Sequence, residues 1–219
     1  MRADFQHQLD SLRADMGGMC ELAGDAMANA TRGLLDADDE AARRVLTDVQ
    51  RLRFLHSDVE RRTLAILARQ APVAGDLRIV VSAIHVAADA DRMGALASHV
   101  AKLTLRRHPE SVVPDEMNDT FARMGRIATR LAENCHAILV SGDCARAQQV
   151  RSDDEAMETI HQELFRAVTS SRWVHGPGVA SDVVLLGRFY GRFADHADEI
   201  ARRMIFQASG DPVRRVRAG

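Results

Sequence analysis

The sequence predicts an all-α protein of two tandem three-helix bundles, six long helices related by internal duplication. Three observations carry this prediction. Apolar residues recur at steps of three and four over long stretches, the period of a helix with one buried face. Proline- and glycine-bearing breaks separate these stretches, at Pro72, in 107–115, at Gly142 and in 175–178. Residues of the first half also recur in the second at nearly fixed spacing. Composition agrees, because unbranched Ala, Leu, Met and Arg dominate while aromatics make up only 4%.

The elements follow in order. Phe5, Leu9, Leu12, Met16, Met19, Ala23, Ala26, Ala30 and Leu34 form the seam of a long first helix. The acidic run 36–40 starts the second helix, where carboxylates meet the positive end of the dipole. Val45, Val49, Leu52, Val59 and Ile66 line its apolar face, and it ends before Pro72. Asp76 is the expected N-cap of the third helix, with Leu77, Val80, Ile84 and Ala87 inward. Segment 107–115 holds Pro109 and Pro114 without a period and reads as a linker. Met117, Phe121, Met124, Ile127 and Leu131 mark a fourth helix closing at Gly142. Asp143 is the expected cap of a fifth helix running to about Ser171. A loop at 175–178 precedes a last helix from about Ala180 to Ser209. The expected units are therefore 1–108 and 115–209, followed by a basic tail, 210–219, with Arg214, Arg215 and Arg217 on a frayed end. A helix of about 30 residues is ~45 Å long.

Duplication fixes the register between the halves. Val45, Asp48 and His56 recur 105 residues later as Val150, Asp153 and His161. Ala97 and Ala101 recur 100 residues later as Ala197 and Ala201. The five-residue difference falls in the loop before each third helix.

Composition narrows the function. The net charge is −2 with Arg interleaved among acids, which argues against nucleic-acid binding. No apolar run approaches the ~18 residues of a membrane span, so membrane contact is expected only through partner proteins. The start of the chain carries no apolar signal segment. Cys20, Cys135 and Cys144 form neither a redox pair nor a zinc knuckle and read as reduced thiols in a cytoplasmic protein. No P-loop, G-x-S-x-G or H-E-x-x-H is present, and the chain reads as no enzyme. Two Glu-x-x-His matches, Glu133 with His136 and Glu158 with His161, are the best support for an oxidase, but they do not align in the repeat.

Chemistry concentrates on the third helix of each half. Asp91 extends the inward stripe among small residues, with His99 two turns on. Asp195 and Glu199 share a face at i, i+4, beside His196. Asp91, Asp195, His99 and Glu199 are thus candidate ligands for Fe or Zn. Ion pairing with Arg92 and Arg192 is the competing role for the two aspartates. Arg92, Arg192, Asp195 and His196 are the candidate partner-binding residues. His56 and His161 read as packing residues.

These segments carry a resemblance. Residues 72–78 (PVAGDLR) and 88–94 (ADADRMG) resemble the P-V-A-x-D-L-R … D-x-E-R-I-G-D signature of PhoU proteins. Residues 185–197 (LLGRFYGRFADHA) resemble their second signature, L-L-G-R-Y-x-E-R-x-A-D-H-A. The match spans essentially the whole chain, and the MGALA variant at 93–97 looks actinobacterial. The resemblance implies a cytoplasmic, dimeric negative regulator of the phosphate-starvation response. Such an adaptor links the ATPase subunit of the high-affinity phosphate ABC transporter to a sensor histidine kinase. A metal-binding protein of storage or oxidase type is the alternative, since some members hold iron or zinc on E/D-x-x-x-D motifs. Here Ala95 and Gly191 replace two of the four motif acids.

Overall fold

A computed structural model describes residues 2–143 and 145–210. Cys144 and the basic tail at Arg214, Arg215 and Arg217 lie outside the described residues. Six α-helices carry the fold: α1 (Arg2–Asp36), α2 (Asp39–Gln70), α3 (Ala74–Arg107), α4 (Asn118–Ser141), α5 (Arg146–Thr169) and α6 (Gly176–Ser209). Helices α1–α3 form one three-helix bundle and α4–α6 the other. A single 3-10 turn, Asp115–Met117, leads from the linker into α4.

The seams are where the periodicity puts them. Leu9, Leu12, Met16, Met19, Ala23, Ala26, Ala30 and Leu34 of α1 are all buried, and Phe5 packs against that core. Val45, Val49, Leu52, Val59 and Ile66 of α2 are buried too, as are Phe121, Met124, Ile127 and Leu131 of α4. Asp38 caps α2 by accepting the Ala41 amide at 2.9 Å. Gly142 closes α4 in the left-handed conformation, its amide donating to the Ile138 carbonyl.

Several boundaries differ from the sequence reading. Helix α3 begins two residues before Asp76, with Val73 as an N-cap that offers no side-chain acceptor. Asp76 instead sits in the first turn, where its charge still meets the dipole. The inward face of α3 is also rotated. Ile79, Val80, Ala83, Val86 and Ala87 are buried, whereas Leu77 is exposed and Ile84 only half-buried. Helix α5 starts after Ala145, whose amide donates to Asp143 Oδ1 at 3.1 Å. Helix α6 starts at Gly176, because Pro177 in the first turn has no amide to leave unpaired.

The two bundles pack through four helices. Helix α1 runs antiparallel to α4, and α3 to α6, while α2 and α5 cover opposite flanks. Small residues permit this closeness. A Cβ at Gly24 of α1 would lie 2.7 Å from the Ala132 Cβ of α4. Tyr190 of α6 crosses the junction fully buried, with its hydroxyl 2.8 Å from Thr31 Oγ1 of α1. Its ring tilts against Phe121 of α4 at 5.9 Å. Arg–Asp pairs tie neighbouring helices at their edges: Arg62 with Asp15 (α2, α1), Arg130 with Asp153 (α4, α5) and Arg107 with Asp182 (α3, α6). The Arg130 guanidinium is bidentate, at 2.9 and 2.8 Å, a geometry lysine cannot supply.

This junction generates a stability prediction. A Cβ at Gly125 would lie 2.5 Å from Thr31 Cγ2 and 3.0 Å from Thr31 Cβ, a short branched side chain with little room to yield. Gly125→Ala is expected to cost about 1–3 kcal/mol through overpacking. Tyr190→Phe removes only a hydroxyl contact and is expected to cost about 1 kcal/mol. Thermal denaturation checks both, and a larger loss from Tyr190→Phe than from Gly125→Ala would count against this account of the junction.

Candidate functional site

The two signature segments meet in the α3–α6 seam. Helix α3 brings Asp89 to α6, where Asp89 Oδ1 lies 3.0 Å from His196 Nδ1. Arg203 Nε approaches the other Asp89 oxygen at 3.9 Å, and Arg203 also pairs with Glu199 at 3.0 Å. Asp89 and His196 are each less than one-fifth exposed. The sequence reading puts His196 at a partner surface. The structure turns it into the seam, since the residue before it, Asp195, takes the outward position on the same turn. Asp89 went unremarked in the sequence because its partner lies 107 residues away.

The other candidate residues have separate surroundings. Asp91 lies against α2, with Oδ2 3.9 Å from His56 Nδ1, and its Oδ1 is buried without a hydrogen-bond partner. His56 also approaches Glu60 at 3.5 Å, and its Nε2 lacks a hydrogen bond. His99 lies against Phe189 of α6 with ring centres 5.0 Å apart. Desolvation, then the nearby Lys102 charge, lowers the His99 pKa from its ordinary value. Glu199 is held between Arg202 at 3.1 Å and Arg203 at 3.0 Å. Arg192 and Asp195 are exposed and pair at 3.5 Å. Arg92 is exposed on α3.

Asp195 overlooks a polar cleft of about 240 Å³ between α5 and α6. Asp154, Glu158 and His161 line it from α5, and Arg188, Gly191, Arg192 and Asp195 from α6. A Cβ at Gly191 would meet nothing within 4 Å, so the residue adds to the cleft's open space. Burial first, then the charges of Asp198 and Asp195, push the Asp154 carboxyl from 3.8 up to about 6. By the 105-residue offset His161 answers to His56 and Glu158 to Arg53. In the first half Asp91 meets His56, which also approaches Glu60.

Iron or zinc on paired motif acids requires carboxylates to converge. Asp91 has Ala95 one turn on, and Asp195 has Gly191 one turn back. Each surviving aspartate faces a different outer helix. Among the described residues no three His, Cys, Asp or Glu side chains converge on a point that could hold a metal. The residues present therefore do not fit a multinuclear cluster.

Two measurements test this geometry. Elemental analysis of protein purified without chelator is expected to find less than about one Fe or Zn per chain. A larger content, lost in Asp91→Ala and Asp195→Ala, overturns the reading. Asp154 supplies a pH signature. Its folded pKa is raised, so the folded chain binds that proton more tightly than the unfolded chain does. The penalty is present above about pH 6 and is relieved as pH falls toward 3.8. Asp154→Asn is expected to raise the urea midpoint near neutral pH and to lose that advantage near pH 4.

A model of the PhoU domain matches residues 17–104 and 121–204, one stretch in each bundle. PhoU homolog 2 of Mycobacterium tuberculosis, a phosphate-specific transport system accessory protein, is 49% identical over 210 residues. That match covers 96% of this chain and 99% of the relative. PhoU homolog 1 of Mycobacterium leprae, under the same description, is 49% identical, covering 96% of this chain and 95% of its own length. The crystal structure of PhoU from Pseudomonas aeruginosa superposes with a TM-score of 0.87 at 22% identity, covering 94% of this chain and all of that one. That of the phosphate transport system regulatory protein PhoU from Streptococcus pneumoniae gives 0.85 at 20%, covering 96% and 100%. The domain match covers well over half of the chain and the mycobacterial relatives are 49% identical over nearly its full length, so the chain belongs to the PhoU family.

Proposed function

We propose that this protein is a cytoplasmic, non-enzymatic negative regulator of the phosphate-starvation response. In this reading it couples the phosphate ABC transporter to a sensor histidine kinase by binding both. The carrying observation is near-full-length identity of 49% to mycobacterial phosphate-specific transport system accessory proteins. Among the described residues no helix is long and apolar enough to cross a membrane, which accords with docking onto membrane proteins.

The mechanism is a linked binding equilibrium in which no bond is made or broken. The transporter's ATPase subunit engages one face of the helical body and the kinase's cytoplasmic core another. Linkage then requires each partner to change the affinity for the other by the same factor. Exposed Arg92, Arg192 and Asp195 are the partner-binding candidates on the outer side of α3 and α6, and a homodimer is the working assembly.

Deletion of the gene is expected to leave phosphate uptake and kinase output switched on in phosphate-rich medium. Purified protein is expected to retain both the ATPase subunit and the kinase core in a pull-down. Arg192→Glu is expected to weaken retention of at least one of them. Retention of neither by the unaltered chain overturns the adaptor reading, and full retention by Asp91→Ala and Asp195→Ala removes those acids from it.

A further inference from the structure

The outward face of α3 carries a pattern that the duplication does not share. On a helix of 3.6 residues per turn, Leu77, Val81, His85, Ala88, Arg92, Ala95, His99, Lys102 and Arg106 lie along one side. Leu77, Val81, His85, Arg92, His99, Lys102 and Arg106 are exposed, and Ala88 and Ala95 are half-exposed between them. The strip changes character along its length. Its first half is apolar, and Leu77 and Val81 are about two-fifths exposed. Its second half is cationic through Arg92, Lys102 and Arg106. The whole strip spans about 44 Å and the cationic half about 21 Å, at 1.5 Å per residue.

The strip itself presents no carboxylate. The acids nearest it in sequence turn aside, Asp89 toward His196 of α6 and Asp91 toward His56 of α2. Arg92, Lys102 and Arg106 make no ion pair with any described residue. The corresponding strip of α6 is mixed: Leu185, Arg188, Arg192, Asp195, Glu199, Arg202 and Phe206, with Arg192 already paired to Asp195. Ala88 and Ala95 sit low between the longer side chains, which lets a second backbone approach.

We propose that this face of α3 is a docking strip for an acidic amphipathic helix of a partner protein. The partner's apolar turns lie over Leu77 and Val81, and its carboxylates lie opposite Arg92, Lys102 and Arg106. Unpaired cations in a row call for anions, and an apolar section continuous with them calls for a peptide rather than a bare anion. The inference assumes nothing about which protein supplies the helix, so it stands or falls separately from the regulator reading.

The test uses the full chain and synthetic helical peptides of about 28 residues, matched to the strip's length. One peptide has Leu at helical spacing in one half and Glu in the other. A second has the same composition shuffled, and a third has Lys in place of Glu. Fluorescence anisotropy is expected to show binding of the first peptide alone, weakening as salt rises. Arg92→Glu with Arg106→Glu is expected to weaken it at least roughly tenfold. Leu77→Ser with Val81→Ser should weaken it several-fold, while Arg51→Glu with Arg53→Glu on α2 leaves it unchanged. Circular dichroism and the thermal midpoint confirm that the variants stay folded. Equal affinity for the shuffled peptide, or indifference to the strip variants, overturns the proposal. Preferential binding to phosphatidylglycerol vesicles also overturns it and assigns the strip to a lipid surface. A dimer abolished by the α3 charge reversals overturns it in favour of a second copy.

Discussion

Two seams, α1 on α4 and α3 on α6, make one body of the two bundles, and the α3–α6 seam carries the polar contacts that fix its register. Asp89 and His196 meet there, far apart in sequence and mostly out of solvent. A carboxylate buried to that extent is costly unless partnered, so the pair specifies the register of α3 on α6 as well as joining them. Arg107 with Asp182 fixes the same two helices at the other end. Between these points Tyr190 spans to Thr31, so a shift of α6 would disturb α1 as well. Helices α2 and α5 need only cover the flanks that this central layer leaves open.

The seam is not symmetric, although the chain is a duplication. Applying the 100-residue offset, Asp89 corresponds to Phe189, Leu96 to His196, His99 to Glu199 and Leu103 to Arg203. One end of the seam is therefore the charged set Asp89, His196, Glu199 and Arg203. The other end is the largely apolar set Phe189, Leu96, His99 and Leu103, where His99 rests on the Phe189 ring. Two identical ends would allow the halves to exchange roles. The difference gives α3 and α6 distinct identities, and it is why their outer faces need not carry the same residues.

The helices were legible in the sequence because burial on a helix leaves a period. Every seam residue read for α1 is in or against the core, and the α2 and α4 faces hold as well. Helix starts were less legible, because an acid near a start looks alike whether it caps or sits in the first turn, as Asp76 does. The candidate site was legible as a location and not as a constellation. Asp91 and Asp195 stand out on their own helices, but only the packing shows that they face different outer helices. His196 could not be placed by local pattern, since the carboxylate that holds it belongs to the other half. The two segments that resemble family signatures contain Asp89 and His196, which meet in the fold.

Loss of motif acids changes what the two third helices have available. Where the motif retains Asp91, Ala95 leaves a low point on the outer face of α3. Where the motif retains Asp195, Gly191 leaves an open cleft against α5, beside the Asp154 carboxyl that burial pushes up to about 6. A glycine inside a helix costs about 1 kcal/mol relative to alanine. No neighbour crowds the Gly191 position, so that cost is not explained by close packing. The first half thus presents a cation-bearing strip on α3, and the second a cleft between α5 and α6 lined by both acids and arginines. The two halves of a duplicated scaffold therefore differ in shape and charge pattern where their third helices meet solvent, one a strip without carboxylates and the other a cleft that mixes both signs.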